Sequence, residues 1–115
     1  MITIKPIDEP DVLALLNRER FDGPLEGYIM TDGKEYLGYC LFVREETVTR
    51  VLDAEASENV MLDGLVRAAV AKGENEGADS FSLNREIPAL ADWAAAFVPG
   101  ECEPVKNSRI FGNCG

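Results

Sequence analysis

The chain has 115 residues, 46% of them hydrophobic, and a net charge of −10, which suits one domain able to bury its own core. No apolar run approaches the roughly 20 residues of a membrane-spanning helix, and no basic stripe is present to displace counterions from nucleic acid. Histidine is absent and the three cysteines, Cys40, Cys102 and Cys114, are widely spaced, so no metal centre is expected.

Ile2 to Lys5 alternate apolar and polar, as a first strand does. Asp8 or Glu9 stands near the N-cap of a helix, with Pro10 in its first turn. Val12, Leu15 and Leu16 share its face, and the pattern ends near Arg20. Phe21-Asp22-Gly23-Pro24 is a loop. From Glu26 the period becomes that of a strand, and Tyr28 to Thr31 run into Asp32-Gly33, a hairpin turn. Glu35 to Val43 is the return strand. A short polar turn, Arg44 to Glu46, leads to a third strand, Thr47 to Ala54. Connections this short make the three strands an antiparallel meander.

A long helical pattern follows to about Glu76, with Ser57 or Asn59 as its cap. Met61, Leu62, Leu65, Val66, Ala69 and Val70 form its apolar face, and Gly77 stops it. Asp79 to Asn84 is a short strand, expected to lie parallel to the third meander strand because a helix separates them. Pro88 opens another helix to about Val98, with Leu90, Trp93, Ala94 and Phe97 on one face. Val105 to Phe111 is a candidate last strand. The order is β-α-β-β-β-α-β-α-β, an α/β (α+β) mixed sheet in a single domain over residues 1–115.

The acids are spread along the chain. They read as a solvated surface, or as a preference for cationic partners such as a small amine or a basic peptide. The N-terminus, Met-Ile-Thr-Ile-Lys-Pro-Ile, does not look like a signal peptide, and a cytoplasmic location is expected. Cys40 reads as a small buried hydrophobe.

The element order resembles the GNAT fold of acyl-CoA N-acyltransferases over nearly the whole chain. The resemblance is carried by Val48 to Ala54 and the helix Leu62 to Ala78, where Leu65-Val66 and Gly77-Ala78 stand where the family usually has Leu-Leu and a closing Gly-Ala. Phe81-Ser82-Leu83-Asn84 and the Ala-rich helix with Trp93 look like the family's next strand and helix. A compact version is expected, short of one helix and one strand. The resemblance implies acetyl-CoA as cofactor and an acyl transfer to an amine. It places the cofactor against Asp53, Ala54 and Glu55 at the strand end, Asn59, Val60, Met61, Leu62, Asp63 and Gly64 at the helix start, and Asn84 after the next strand.

The family's loop, Arg/Gln-x-x-Gly-x-Gly/Ala, is degenerate here. Val60, Met61 and Leu62 stand at its glycines, Ser57 and Glu58 at its opening. Gly64 comes about two positions late. Bulky side chains hinder backbone approach to a phosphate, and Glu58 and Asp63 oppose an anion. Weak or absent acetyl-CoA binding is therefore expected. Arg67 and Lys72 are candidate phosphate contacts or surface charges.

Glu55 is the best-placed general base or a solvated carboxylate. The helix containing Trp93 has no tyrosine to serve as the acid. Tyr28, Tyr36 and Tyr39 read as packing residues, so no catalytic residue is assigned. Three readings stand: an acyltransferase with an atypical site, a non-catalytic GNAT-like interaction module, and an unrelated α+β fold.

Overall fold

A computed structural model describes residues 1–111, which leaves Cys114 outside the described residues. These residues form β1 (Ile2–Pro6), α1 (Pro10–Asn17), β2 (Glu26–Asp32), β3 (Glu35–Glu45), β4 (Val48–Ala56), α2 (Asn59–Asn75), β5 (Ser80–Leu83), α3 (Pro88–Phe97) and β6 (Val105–Lys106). One sheet takes the strands in chain order, β1 to β6. β2, β3 and β4 are antiparallel neighbours, as their short connections require. β5 lies parallel to β4, with Val48 opposite Ser80 and Val51 opposite Leu83. The mixed α/β architecture is the one expected, and the meander runs directly into the long helix.

α2 and α3 cover the same face of the sheet. Leu62, Leu65, Val66, Ala69 and Val70 of α2 are buried against Cys40, Phe42, Val51, Ala54 and Phe81. Each of these leucines and valines contributes about 1.5–3 kcal/mol on burial. Cys40 is fully buried, and the loss of solvent drives its thiol pKa up. Gly73 lets α2 approach β4, because a Cβ there would lie 1.7 Å from Thr49 Oγ1. α2 ends in a Schellman motif: Ala78 N–H donates to the Gly73 carbonyl and Gly77 N–H to that of Glu74, with Gly77 at φ +104°.

Several local expectations change. Neither Ser57 nor Asn59 caps α2. Its N-cap is Glu58, with no side-chain bond to the helix, because the Ser57 hydroxyl donates to the Leu37 carbonyl instead. α1 ends at Asn17 rather than Arg20, since Arg18 and Glu19 both turn to positive φ. The last strand is only Val105–Lys106, and Asn107–Arg109 is a 3₁₀ turn. Phe97 is 46% exposed. It lies beside Trp93 and under the Arg67 guanidinium, 5.3 Å from its ring centre.

Two β-bulges bend the meander. The register skips Leu37 in β3 against β2, and Leu52 in β4 against β3. An extra residue in one strand shifts its alternation by one. Val51 and Ala54 therefore both face α2, while Asp53 faces the other way, toward Tyr39 and the end of α1.

Candidate functional site

β4 is longer than β5, and the two part company at a defined point. Asn84 N–H donates to the Val51 carbonyl at 2.9 Å. Its side-chain amide donates to the Leu52 carbonyl at 3.0 Å, and its Oδ1 accepts the Glu86 N–H. Past this pin β5 turns away into α3, whereas β4 continues through Asp53 to Ala56, paired only with β3. The edge of β4 that would face β5 is open there. Asn84 holds the apex of this opening, and its amide is committed to that task.

The start of α2 follows β4 after two residues. The Met61 and Leu62 N–H groups both turn back to the Glu58 carbonyl. Those of Asn59 and Val60 find no acceptor among the described residues. Free N–H groups and the positive end of the helix dipole face solvent here. Val60 is 72% exposed, so its side chain leans outward rather than filling the core. The backbone thus offers what a pyrophosphate and an extended amide chain need, and the side chains add no cation.

The charged residues assigned to this end by sequence are otherwise engaged. Asp63 Oδ1 accepts the Trp93 indole N–H at 2.9 Å and the Arg67 Nε–H at 2.8 Å. Arg67 also donates to the Ile110 carbonyl. Asp63 is thereby neutralised and joins α2, α3 and the C-terminal turn. Lys72 bonds Glu26 and Glu76 near the far end of the helix. Ala54 is buried in the core, Leu62 likewise, and Met61 packs beside it. A Cβ at Gly64 would meet only Ile4 and Met30 side chains, at 3.6 Å, so Gly64 serves the packing of α2 over the first strands.

The opposite face of the sheet carries a second group. Asp53 is 4% exposed. Its Oδ2 accepts the Tyr39 hydroxyl at 2.5 Å and an Arg20 guanidinium N–H, also at 2.5 Å. Burial, then the bond to Asp53, raises the Tyr39 pKa and keeps the phenol a donor. Glu55, two residues on, shares this face and is exposed, directly across from Tyr39 in β3. Tyr36 is also here. Burial first and the Glu55 charge second push its pKa up to about 12. Beyond the cluster an open cleft of about 850 Å³ runs over β4 and β5, walled by Phe21, Glu46, Arg50, Leu52, Asn84 and Glu103.

Asp53 and Glu55 therefore stand together on one face, and the start of α2 stands on the other, with the open edge of β4 between them. Arg20 and Tyr39 were missed in the sequence, one read as a helix end and the other as packing. The available signal was Asp53 itself: an acid inside an apolar strand requires a cation and a donor when buried.

No family model matches the sequence, and no curated protein matches it. Solved structures do. A Bacillus subtilis acetyltransferase in complex with CoA superposes with a TM-score of 0.58 at 20% identity, over 81% of this chain and 73% of that one. An aminoglycoside acetyltransferase from a soil metagenomic sample, in complex with trehalose, gives 0.63 at 12% identity over 90% and 91%. A GNAT-family acetyltransferase from Streptococcus pneumoniae gives 0.52 at 21% identity over 73% and 75%. With these likenesses beside the parted β4–β5 pair, the chain has the fold of the GNAT acetyltransferases.

Proposed function

We propose that this protein is an acyl-CoA-dependent N-acyltransferase acting on an amine. The observation that carries the reading is the open edge of β4 beyond Leu52, with the free N–H groups of Asn59 and Val60 beside it. Unpaired strand backbone suits the amides of a pantetheine arm, and a helix start suits its phosphates. Asp53 to Ala56 would line the arm by backbone, and Asn59 and Val60 the pyrophosphate. That one structural neighbour is described in complex with CoA supports this reading.

Acyl-CoA supplies an activated thioester when bound. The chain's own part is to position the acceptor and handle its proton. Glu55, exposed on the acceptor side of β4, would take a proton from the acceptor's ammonium and so free the nitrogen lone pair for attack on the acyl carbon. The thiol leaving group would need a proton in return. Tyr36 and Tyr39 lie on the neighbouring strand, both with raised pKa, and suit proton donation more than proton removal.

With no cationic side chain in the loop, affinity rests on backbone contacts alone. Calorimetry is expected to give a Kd for acetyl-CoA of roughly 0.1–1 mM, or about −5 kcal/mol. Glu55→Gln should leave that Kd unchanged and lower acyl transfer to amines by about 10²-fold or more. Absence of binding at several millimolar acetyl-CoA would reject the enzyme. A second reading would then stand, a GNAT-like interaction module without catalysis. It is favoured by one observation, the uninterrupted bulky run Glu58 to Leu62 at the start of α2.

A further inference from the structure

The two halves of coenzyme A ask different things of a site. The pantetheine arm needs backbone partners for its amides and a donor for the phosphate that ends it. The nucleotide beyond carries further phosphate charge and an adenine, which call for cations and a stacking surface. The open edge of β4 from Asp53 to Ala56 meets the first need. Its four residues run for about 13 Å at roughly 3.3 Å each, unpaired on the β5 side. The free N–H groups of Asn59 and Val60 follow it. Two such donors at the positive end of a helix suit one phosphate group.

The second need is not met. No lysine or arginine occurs in the sequence between Arg50 and Arg67, a stretch that contains Asp53, Glu55, Glu58 and Asp63. Arg67 stands about 10 Å down α2 from Val60 at 1.5 Å per residue, held by Asp63 and the Ile110 carbonyl. Lys72 stands about 18 Å down the same axis and bonds Glu26 and Glu76. Glu58, the exposed N-cap, makes no bond to the helix and puts a carboxylate at its mouth. Phe97, the exposed ring of α3, is flanked by Arg67 and Trp93 and is no free platform for a base. The site thus fits the arm of CoA and disagrees with its nucleotide.

We propose that the donor site recognises a 4′-phosphopantetheine thioester and reads nothing beyond its phosphate, so that acetyl-CoA binds by its arm and not by its nucleotide. The inference rests on the acyltransferase reading and names its donor class. The backbone of Asp53 to Ala56 takes the arm, and the Asn59 and Val60 N–H groups take the phosphate at its end.

Titrations of the full chain, followed by NMR at the Val60 amide, compare acetyl-CoA with S-acetyl-4′-phosphopantetheine and S-acetylpantetheine. The first two should have Kd values within about threefold of each other. S-acetylpantetheine, which lacks the phosphate, should bind about fivefold more weakly or worse. Adenosine 3′,5′-bisphosphate, the other half of CoA, should not displace acetyl-CoA at equal concentration. Asn59→Pro removes one N–H at little cost to the fold. Proline suits a first helical position, and Glu58 before it is already extended, at φ −140° and ψ 153°. This variant should weaken both phosphate-bearing thioesters about threefold or more and leave S-acetylpantetheine unchanged. Acetyl-CoA binding more than threefold tighter than the phosphopantetheine thioester, displacement by the bisphosphate, or equal binding of the two pantetheine thioesters overturns the proposal and leaves the acyltransferase reading standing. So does unchanged binding in folded Asn59→Pro; the wild-type comparisons need no variant. No response to any thioester at several millimolar overturns both claims.

Discussion

Two glycines in one helix should respond oppositely to the same substitution. In a helix interior, alanine is favoured over glycine by about 0.8–1.0 kcal/mol. At Gly64 the new methyl would meet Ile4 Cδ1 and Met30 Cε at 3.6 Å, ordinary contact. Gly64→Ala should therefore stabilise by about 1 kcal/mol. At Gly73 the methyl would lie 1.7 Å from Thr49 Oγ1, 3.0 Å from its Cβ and 3.3 Å from its Cγ2. Rotating the threonine cannot relieve the Cβ contact. Thr49 cannot retreat either, because β4 is paired there with Arg44 of β3 and Phe81 of β5. Overpacking of this kind costs about 1–3 kcal/mol, which exceeds the propensity gain and leaves a net loss of about 1–2 kcal/mol. Urea unfolding, with a slope of roughly 1–3 kcal/mol/M, would show this as a midpoint lowered by about 1 M. Adding Thr49→Ala should recover most of the loss and give a coupling energy of about 1–2 kcal/mol in the double-mutant cycle. A Gly73→Ala protein as stable as wild type with an unchanged slope, or a cycle without coupling, would refute the claim that this glycine sets the distance from α2 to β4.

Asp63 and the tyrosines give further tests. Asp63→Ala removes the acceptor of both the Trp93 indole and the Arg67 guanidinium. It should destabilise by about 2–3 kcal/mol and shift the fluorescence of this single tryptophan; unchanged stability would show that Asp63 is not the joint between α2 and α3. All three tyrosines have raised pKa values, with burial the leading cause in each. A group bound more tightly to its proton in the fold contributes stability below its unfolded pKa, near 10, and loses it as pH rises toward the folded value. Stability should therefore fall from about pH 10 upward, with the Tyr36 pKa pushed up to about 12. A tyrosinate absorbance band appearing in folded protein at or below pH 10 would contradict the burial argument.

Much of the architecture was legible because it is written in local periods. The alternation in Glu35 to Val43, the 3.6-residue recurrence of Leu62, Leu65, Val66 and Ala69, and Gly77 at the stop each follow from one segment alone. The parallel pairing of β5 followed from the helix between the strands. Segment ends were less legible. Arg20 belongs to a helical pattern by composition, yet the chain leaves the helix at Arg18 and Glu19, and Arg20 reaches Asp53, 33 positions away. The task of Asn84 was not legible, since its side chain bonds the Leu52 carbonyl, which a bulge exposes. The roles of Arg20 and Tyr39 depend on the same bulge, and a skipped register leaves no mark in composition.

That skipped residue has a consequence for tolerance to change. Leu52 works as a parity switch in β4: before it, odd-numbered positions such as Thr49 and Val51 face the helices, and after it the even-numbered Ala54 and Ala56 do. Drawing Leu52 into regular alternation would turn Asp53 and Glu55 into the core, whereas deleting it would leave Val51 opposite Phe42 and Asp53 opposite Leu41 as they are. In the first case two acids would enter an apolar interior while two alanines came out. Loss of Leu52 should therefore preserve the facing of every other residue of β4, and the skipped register, rather than the identity of Leu52, is the property that keeps the acidic face outside.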